Sequence, residues 1–179
     1  MRLLWRSSLT TCGTGSRVLT LVIVAVLQQI GCTPREPQTS DIERALSRVG
    51  SWKLNVAKST YDSGPPPRNA TRTIETRSNG TRQRTEGVDA AGNPVAYEYS
   101  ADYDGKDYPL TGSGTPNDAD SIALRRIDNV TVEATLKKDG AVVQTTRSVL
   151  SKDGKVLTYT SKGNAHGQPT SSVTVWERQ

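Results

Sequence analysis

Gly50-Ser51-Trp52-Lys53-Leu54-Asn55-Val56-Ala57 alternates, with Trp52, Leu54 and Val56 on one face and Ser51, Lys53 and Asn55 on the other. A side-chain period of two is that of a half-buried β-strand. A large aromatic at the start of such a strand would plug one end of an all-β barrel. The residues before Gly50 read as delivery and tether. The residues after Ala57 read as a succession of short strands.

Turn signals recur beyond that strand at nearly even intervals: Asn79-Gly80, Gly92-Asn93, Asp104-Gly105, Asp128-Asn129, Asp139-Gly140, Asp153-Gly154 and His166-Gly167. Asn-Gly and Asp-Gly tolerate the positive φ of tight hairpin turns. The clearest strand is Val95-Tyr97-Tyr99-Ala101-Tyr103, whose other face carries Glu98, Ser100 and Asp102. Val130 to Leu136 alternates in the same way, and Val173-Thr174-Val175-Trp176 closes the chain. Ala70 to Arg77 and Thr81 to Asp89 are weak, because Ile74 and Val88 are nearly their only apolar residues. Ser113 to Asp120 is a longer loop. No stretch after residue 50 has helical period. The expectation is an all-β, antiparallel up-and-down β-barrel of about ten strands. Closure would pair the Trp52 strand with the Val175 strand and remove both free edges. An open sandwich, with those strands at opposite edges, is the alternative.

Upstream, Ser40-Asp41-Ile42-Glu43 is a capping box, and Ile42, Leu46 and Val49 repeat on one helical face. This predicts a short helix within 40–49, from Asp41 to about Arg48, covering one barrel end. Residues 32–39 are polar with two prolines and read as a tether. Residues 1–31 combine Arg2, Arg6 and Arg17 with the apolar run Val18–Leu27, a signal-peptide pattern. The run is too short for a membrane span, which needs about 20 apolar residues. The 23 Lys and Arg, less these three, leave 20 against 18 Asp and Glu, a net charge of +2. The basicity of the whole chain therefore belongs largely to the signal, and nucleic acid is not an expected partner.

Leu27-Gln28-Gln29-Ile30-Gly31-Cys32 resembles the lipobox of bacterial lipoproteins. Gly31-Cys32 match it, and Gln29 departs from the branched apolar residue usual there. The resemblance implies an acylated Cys32 at a new N-terminus, and the non-acidic Thr33 implies the outer membrane. An ordinary secretory signal is the other reading. Cys12 lies in the segment to be removed, so a lipidated Cys32 leaves the domain without a disulfide.

Gly50-x-Trp52, the preceding helix and Arg178 resemble the calycin group, the lipocalins and fatty-acid-binding proteins. In lipocalins Gly-x-Trp opens the first strand and a late Arg packs over that Trp. The resemblance places Gly50, Trp52 and Arg178 in those roles and covers residues 50–179, implying a lipocalin-like barrel. Leu150 to Val173 supplies no helix of the kind lipocalins carry. Lys58 to Asn69 is too short for a two-helix lid, and Thr174-Val175-Trp176 lacks the Arg-x-Tyr carboxylate clamp of the fatty-acid binders.

Catalytic chemistry has little to work with. His166 is the only histidine, and it lies in a turn, so triads, haem ligation and His-based metal sites are disfavoured. Gly112-Ser113-Gly114 lacks the spacing of a nucleophile elbow. Asp118 and Asp120 read as a surface loop before a calcium site. No cofactor, metal or enzymatic activity is expected. The tyrosines carry more content. Tyr97, Tyr99 and Tyr103 share a face that Tyr108 and Tyr159 can join, either as packed core or as a ligand-binding lumen. Parity with Ile122 and Leu124 turns Arg126 inward or places it at the rim. The candidate ligand-binding residues are Tyr97, Tyr99, Tyr108, Arg126 and Tyr159, and Cys32 is the candidate lipidation site. The expected function is a cell-envelope lipoprotein, facing the periplasm and held to the membrane by its lipid, whose barrel binds a small, partly apolar molecule, anionic in the case that Arg126 points inward. The alternative is a non-catalytic structural or protein-interaction module with a filled barrel.

Overall fold

The computed structural model describes residues 47–62, 64–165 and 167–179. The signal segment, the tether with Cys32, His166 and most of the expected helix lie outside those residues. Ser47 and Arg48, the last positions of the helix expectation, are described and are not helical.

The described residues form ten strands: β1 (Gly50–Tyr61), β2 (Asn69–Thr76), β3 (Gly80–Val88), β4 (Pro94–Asp102), β5 (Asp104–Ser113), β6 (Ser121–Arg126), β7 (Thr131–Lys138), β8 (Ala141–Leu150), β9 (Val156–Ala165) and β10 (Gln168–Arg178). Each pairs antiparallel with the next, and β1 pairs with β10 to close the barrel. Trp52 sits opposite Arg178 and Leu54 opposite Trp176. The architecture is the up-and-down barrel expected from the alternation, and closure gives every one of these strands a partner on both sides.

The turns work as their residues require. Asp139 (φ 49) and Gly140 (φ 77) both occupy the left-handed region and join β7 to β8, the backbone of a two-residue type I′ hairpin. The β5–β6 loop holds a short 3₁₀ turn, Pro116–Asp118. Asn117 Nδ2 there donates to Val143 O at 3.2 Å, tying that loop to β8.

Trp52 is completely buried. Its Nε1 donates to Arg48 O at 2.9 Å, and Arg178 Cζ lies 4.3 Å from its ring centre. Arg178 donates to Val49 O and Gly154 O, each at 2.7 Å, and to Ser47 O. Arg48 in turn donates to Ser148 Oγ, Ser148 O and Val130 O. Residues 47–49 are thereby laced across the end where β1 begins and β10 finishes, and that end is plugged.

Two apolar clusters fill the interior. One joins Trp52, Leu54, Ile74, Leu150, Leu157 and Trp176. The other joins Tyr99, Leu110, Ile122, Leu124, Val132 and Leu136 with smaller residues. β2 and β3 have a weak hydrophobic pattern because much of their inward face is polar: Arg72, Thr81, Gln83 and Thr85 are buried beside Ile74.

Candidate functional site

Strand irregularity sets where the interior stays open. The β1–β2 ladder runs only from Gly50↔Ile74 to Lys53↔Thr71. On the other side of β1, the β1–β10 register shifts between Asn55 and Thr60. Ser59 holds that bulge, donating through Oγ to Asn55 O at 2.7 Å and accepting from Val175 N at 3.0 Å. A bulge bends its strand and interrupts pairing. The second half of β1 therefore parts from β2, and the barrel widens away from the plug.

A cavity of about 350 Å³ occupies that widened part and reaches the strand ends at Tyr61, Asn69, Val88 and Val95. Leu54, Leu110, Ile122 and Leu136 supply its apolar wall. Tyr97, Tyr99, Tyr159 and Trp176 add aromatic surface, and Arg72 and Thr85 add polar groups. Burial pushes the Tyr99 phenol well above its ordinary pKa, so its hydroxyl stays protonated as a donor. A void of only about 40 Å³ separates this space from Arg48 at the plug.

Arg72 is the inward-facing charge of the lumen, with 8% of its surface exposed. Its Nε donates to Thr85 Oγ1 at 3.1 Å. Its Cζ lies 4.1 Å from the Trp176 ring centre and 4.5 Å from that of Tyr159. Those two rings meet edge to face, 6.3 Å apart. Burial works against the charge, and the neighbouring Tyr159, Tyr97 and Tyr99 outweigh it, leaving the guanidinium pKa raised. No Asp or Glu among the described residues is buried, and none forms an ion pair with Arg72.

The residues singled out from sequence divide into two groups. Tyr97, Tyr99 and Tyr159 line the cavity. Tyr108 does not: opposite Ile122 on β6 it packs against the interior apolar cluster, but the β4–β5 ladder stops at Tyr99↔Leu110 and its ring stays outside the cavity lining. The Tyr108 hydroxyl donates to Asp104 Oδ2 at 3.2 Å instead. Arg126 is exposed at the plugged end, with its Cζ 4.3 Å from the Tyr103 ring centre. Its parity with Leu124 is right, but β6 ends there and carries it past the barrel interior. It lines a separate, polar cleft of about 470 Å³ between the turns of that end and residues 47–49. The charge in the lumen comes from Arg72, which sequence reasoning passed over. Its signal was present, since Ala70, Arg72 and Ile74 alternate on one face, but β2 was too poor in apolar residues to fix which face points inward.

The described residues hold no cluster of three or more His, Cys, Asp or Glu suited to a metal. Asp104, Asp107 and Asp120 lie in surface ion pairs with Lys106, Lys137 and Lys138.

Neither a protein-family model nor a curated protein sequence matches the chain. Among solved structures the barrel is similar to the zebrafish ileal bile acid-binding protein complexed with cholic acid, at 11% identity over 73% of this chain and 98% of that one, with a TM-score of 0.44.

Proposed function

We propose that this chain is a cell-envelope lipoprotein whose barrel binds a small, partly apolar molecule in its lumen. The observation that carries the reading is the cavity of about 350 Å³, walled by aliphatic and aromatic side chains and furnished with a few fixed polar groups. Pockets for small molecules have this size and this mixture. Envelope attachment rests on the Gly31-Cys32 processing pattern and the polar tether that adjoins it.

Titration of the full chain with N-phenyl-1-naphthylamine, a neutral dye that fluoresces in apolar surroundings, tests the lumen. The expected result is saturable binding of one dye, abolished by Ala70→Trp, which places an indole in the cavity wall. Dye binding that is not saturable, or that survives Ala70→Trp in a folded protein, refutes the lumen reading and favours the filled structural module. Attachment is tested separately by palmitate labelling in a bacterial host. The label is expected on the wild type and not on Cys32→Ser, and an unlabelled wild type refutes the anchor.

A further inference from the structure

The arginines at least partly buried in the barrel fall into two kinds. Arg48 is surrounded by oxygen acceptors, with Ser148 Oγ, Ser148 O and Val130 O taking its hydrogens. Arg178, partly buried, has Gly154 O, Val49 O and Ser47 O. Both are committed to the plug. Arg72 has no such shell. Its one side-chain hydrogen bond of defined geometry goes from Nε to Thr85 Oγ1, and its remaining close neighbours are the rings of Tyr159 and Trp176 and the phenol of Tyr159. Aromatic faces attract a guanidinium and hold it in place, but they leave its net charge uncancelled. A charge taken out of water is ordinarily matched by an opposite one. Even on the water-exposed outer face Arg82, Arg84 and Arg147 each lie beside a glutamate. Arg72 faces a cavity instead.

Resting on the lumen reading, we propose that Arg72 is the anion anchor of the cavity and that the ligand is a compact amphiphilic monocarboxylate held head-inward. With Nε spent on Thr85, the Nη edge of the guanidinium offers paired N–H groups in one plane, the geometry a carboxylate accepts bidentately. A single unmatched charge in the lumen calls for a single anionic group. Beyond Arg72 the wall is mostly apolar, through Leu110, Ile122 and Leu136, with Asn69, Gln144 and Ser172 as neutral polar members, and its other charged residue, Asp89 at the mouth, repels a second anionic group, so the body of the ligand is uncharged. A volume of about 350 Å³ equals that of about a dozen liquid waters. The ligand accordingly has on the order of a dozen non-hydrogen atoms or somewhat more, since each fills somewhat less than one water's share.

Decanoate and 1-decanol match this size and differ in the head group, and both are measured on the full chain at pH 7.4 by displacement of N-phenyl-1-naphthylamine. Decanoate is expected to bind at least about tenfold more tightly than decanol, the margin of one charge-assisted hydrogen bond. Arg72→Met should bring the two to parity while still binding the neutral dye. Arg126→Met, at the other end, should leave the preference unchanged. Equal affinities in the wild type, or a preference that survives Arg72→Met, overturn the anchor while leaving the lumen reading standing. If Arg72→Met does not fold, Arg72→Lys decides: a preference reduced but not lost supports the anchor, and an unchanged preference overturns it. Failure of the dye to bind the wild type removes the lumen reading, and the anchor falls with it.

Discussion

Replacing Trp52 by Ala should be among the costliest single changes in this barrel. The ring is fully buried and packs with Leu54, Ile74, Leu150 and Leu157, so its loss opens a cavity at the plugged end. Truncating a buried Trp costs about 3–5 kcal/mol. Two further contacts go with it. The Nε1–H bond to Arg48 O disappears, leaving that carbonyl short of a donor, and Arg178 loses the ring beneath its guanidinium, a contact of about 1 kcal/mol at a half-exposed site. The expected loss is therefore about 4–6 kcal/mol. A domain of this size loses roughly 4 °C of melting temperature per kcal/mol, which puts the shift near 16–24 °C. Urea denaturation followed by far-UV circular dichroism measures the free energy, provided the slope with denaturant is unchanged. Combining Trp52→Ala with Arg178→Met in a double-mutant cycle should show coupling of about 1 kcal/mol. A Trp52→Ala loss below about 1.5 kcal/mol, or additive effects of the two changes, would mean that the plug is not organised around this ring.

Acid should weaken the fold through its turn carboxylates. Asp89 is held below the ordinary carboxylate range by the side chain and backbone N–H of Asn93, and Asp128 by the backbone N–H of Val130 and by Thr131. A depressed folded-state pKa contributes stability that is complete above the unfolded value of about 3.9 and is lost as pH falls through the lower folded value. Melting temperature followed from pH 7 to pH 2 should decline below about pH 4, and less steeply in Asp89→Asn/Asp128→Asn; an identical decline in both proteins refutes the assignment. Gly112→Ala should destabilise by about 1–3 kcal/mol, because its φ is +120° and a Cβ there would lie 2.1 Å from Ala96 O. Gly140→Ala, also left-handed but in open space, should cost less, and thermal melts of the two variants check the order.

Much of the architecture was legible in the chain because alternation and turn chemistry are local. Trp52, Leu54 and Val56 are spaced for one face of a strand, and Asp139-Gly140 is built for a tight hairpin. Evenly spaced turns leave antiparallel pairing as the simple solution, and ten strands with two free edges favour closure. The tyrosines at 97, 99 and 159 were legible for the same reason, since inward parity follows from a clean alternation. The expected helix near 41–48 rests on pattern alone, and where its end is described, at Ser47 and Arg48, the backbone is not helical and forms part of the plug.

What tertiary structure alone decided is the site. Parity says which face a residue shares, not how far along the barrel axis it lies. Leu124 and Arg126 share a face, yet β6 ends at Arg126 and leaves it in water, while Tyr108 packs against the apolar cluster without reaching the cavity. Arg72 shows the converse. In sequence it is one more basic residue in a strand nearly devoid of apolar neighbours. It becomes the buried charge of the lumen only because Thr85, Tyr159 and Trp176 arrive around it from three other strands. Local periodicity determined the wall of this barrel. The bulge at Asn55–Thr60, the plug at residues 47–49 and the surroundings of Arg72 depend on contacts between residues far apart in the chain, and such contacts leave no period for a sequence to display.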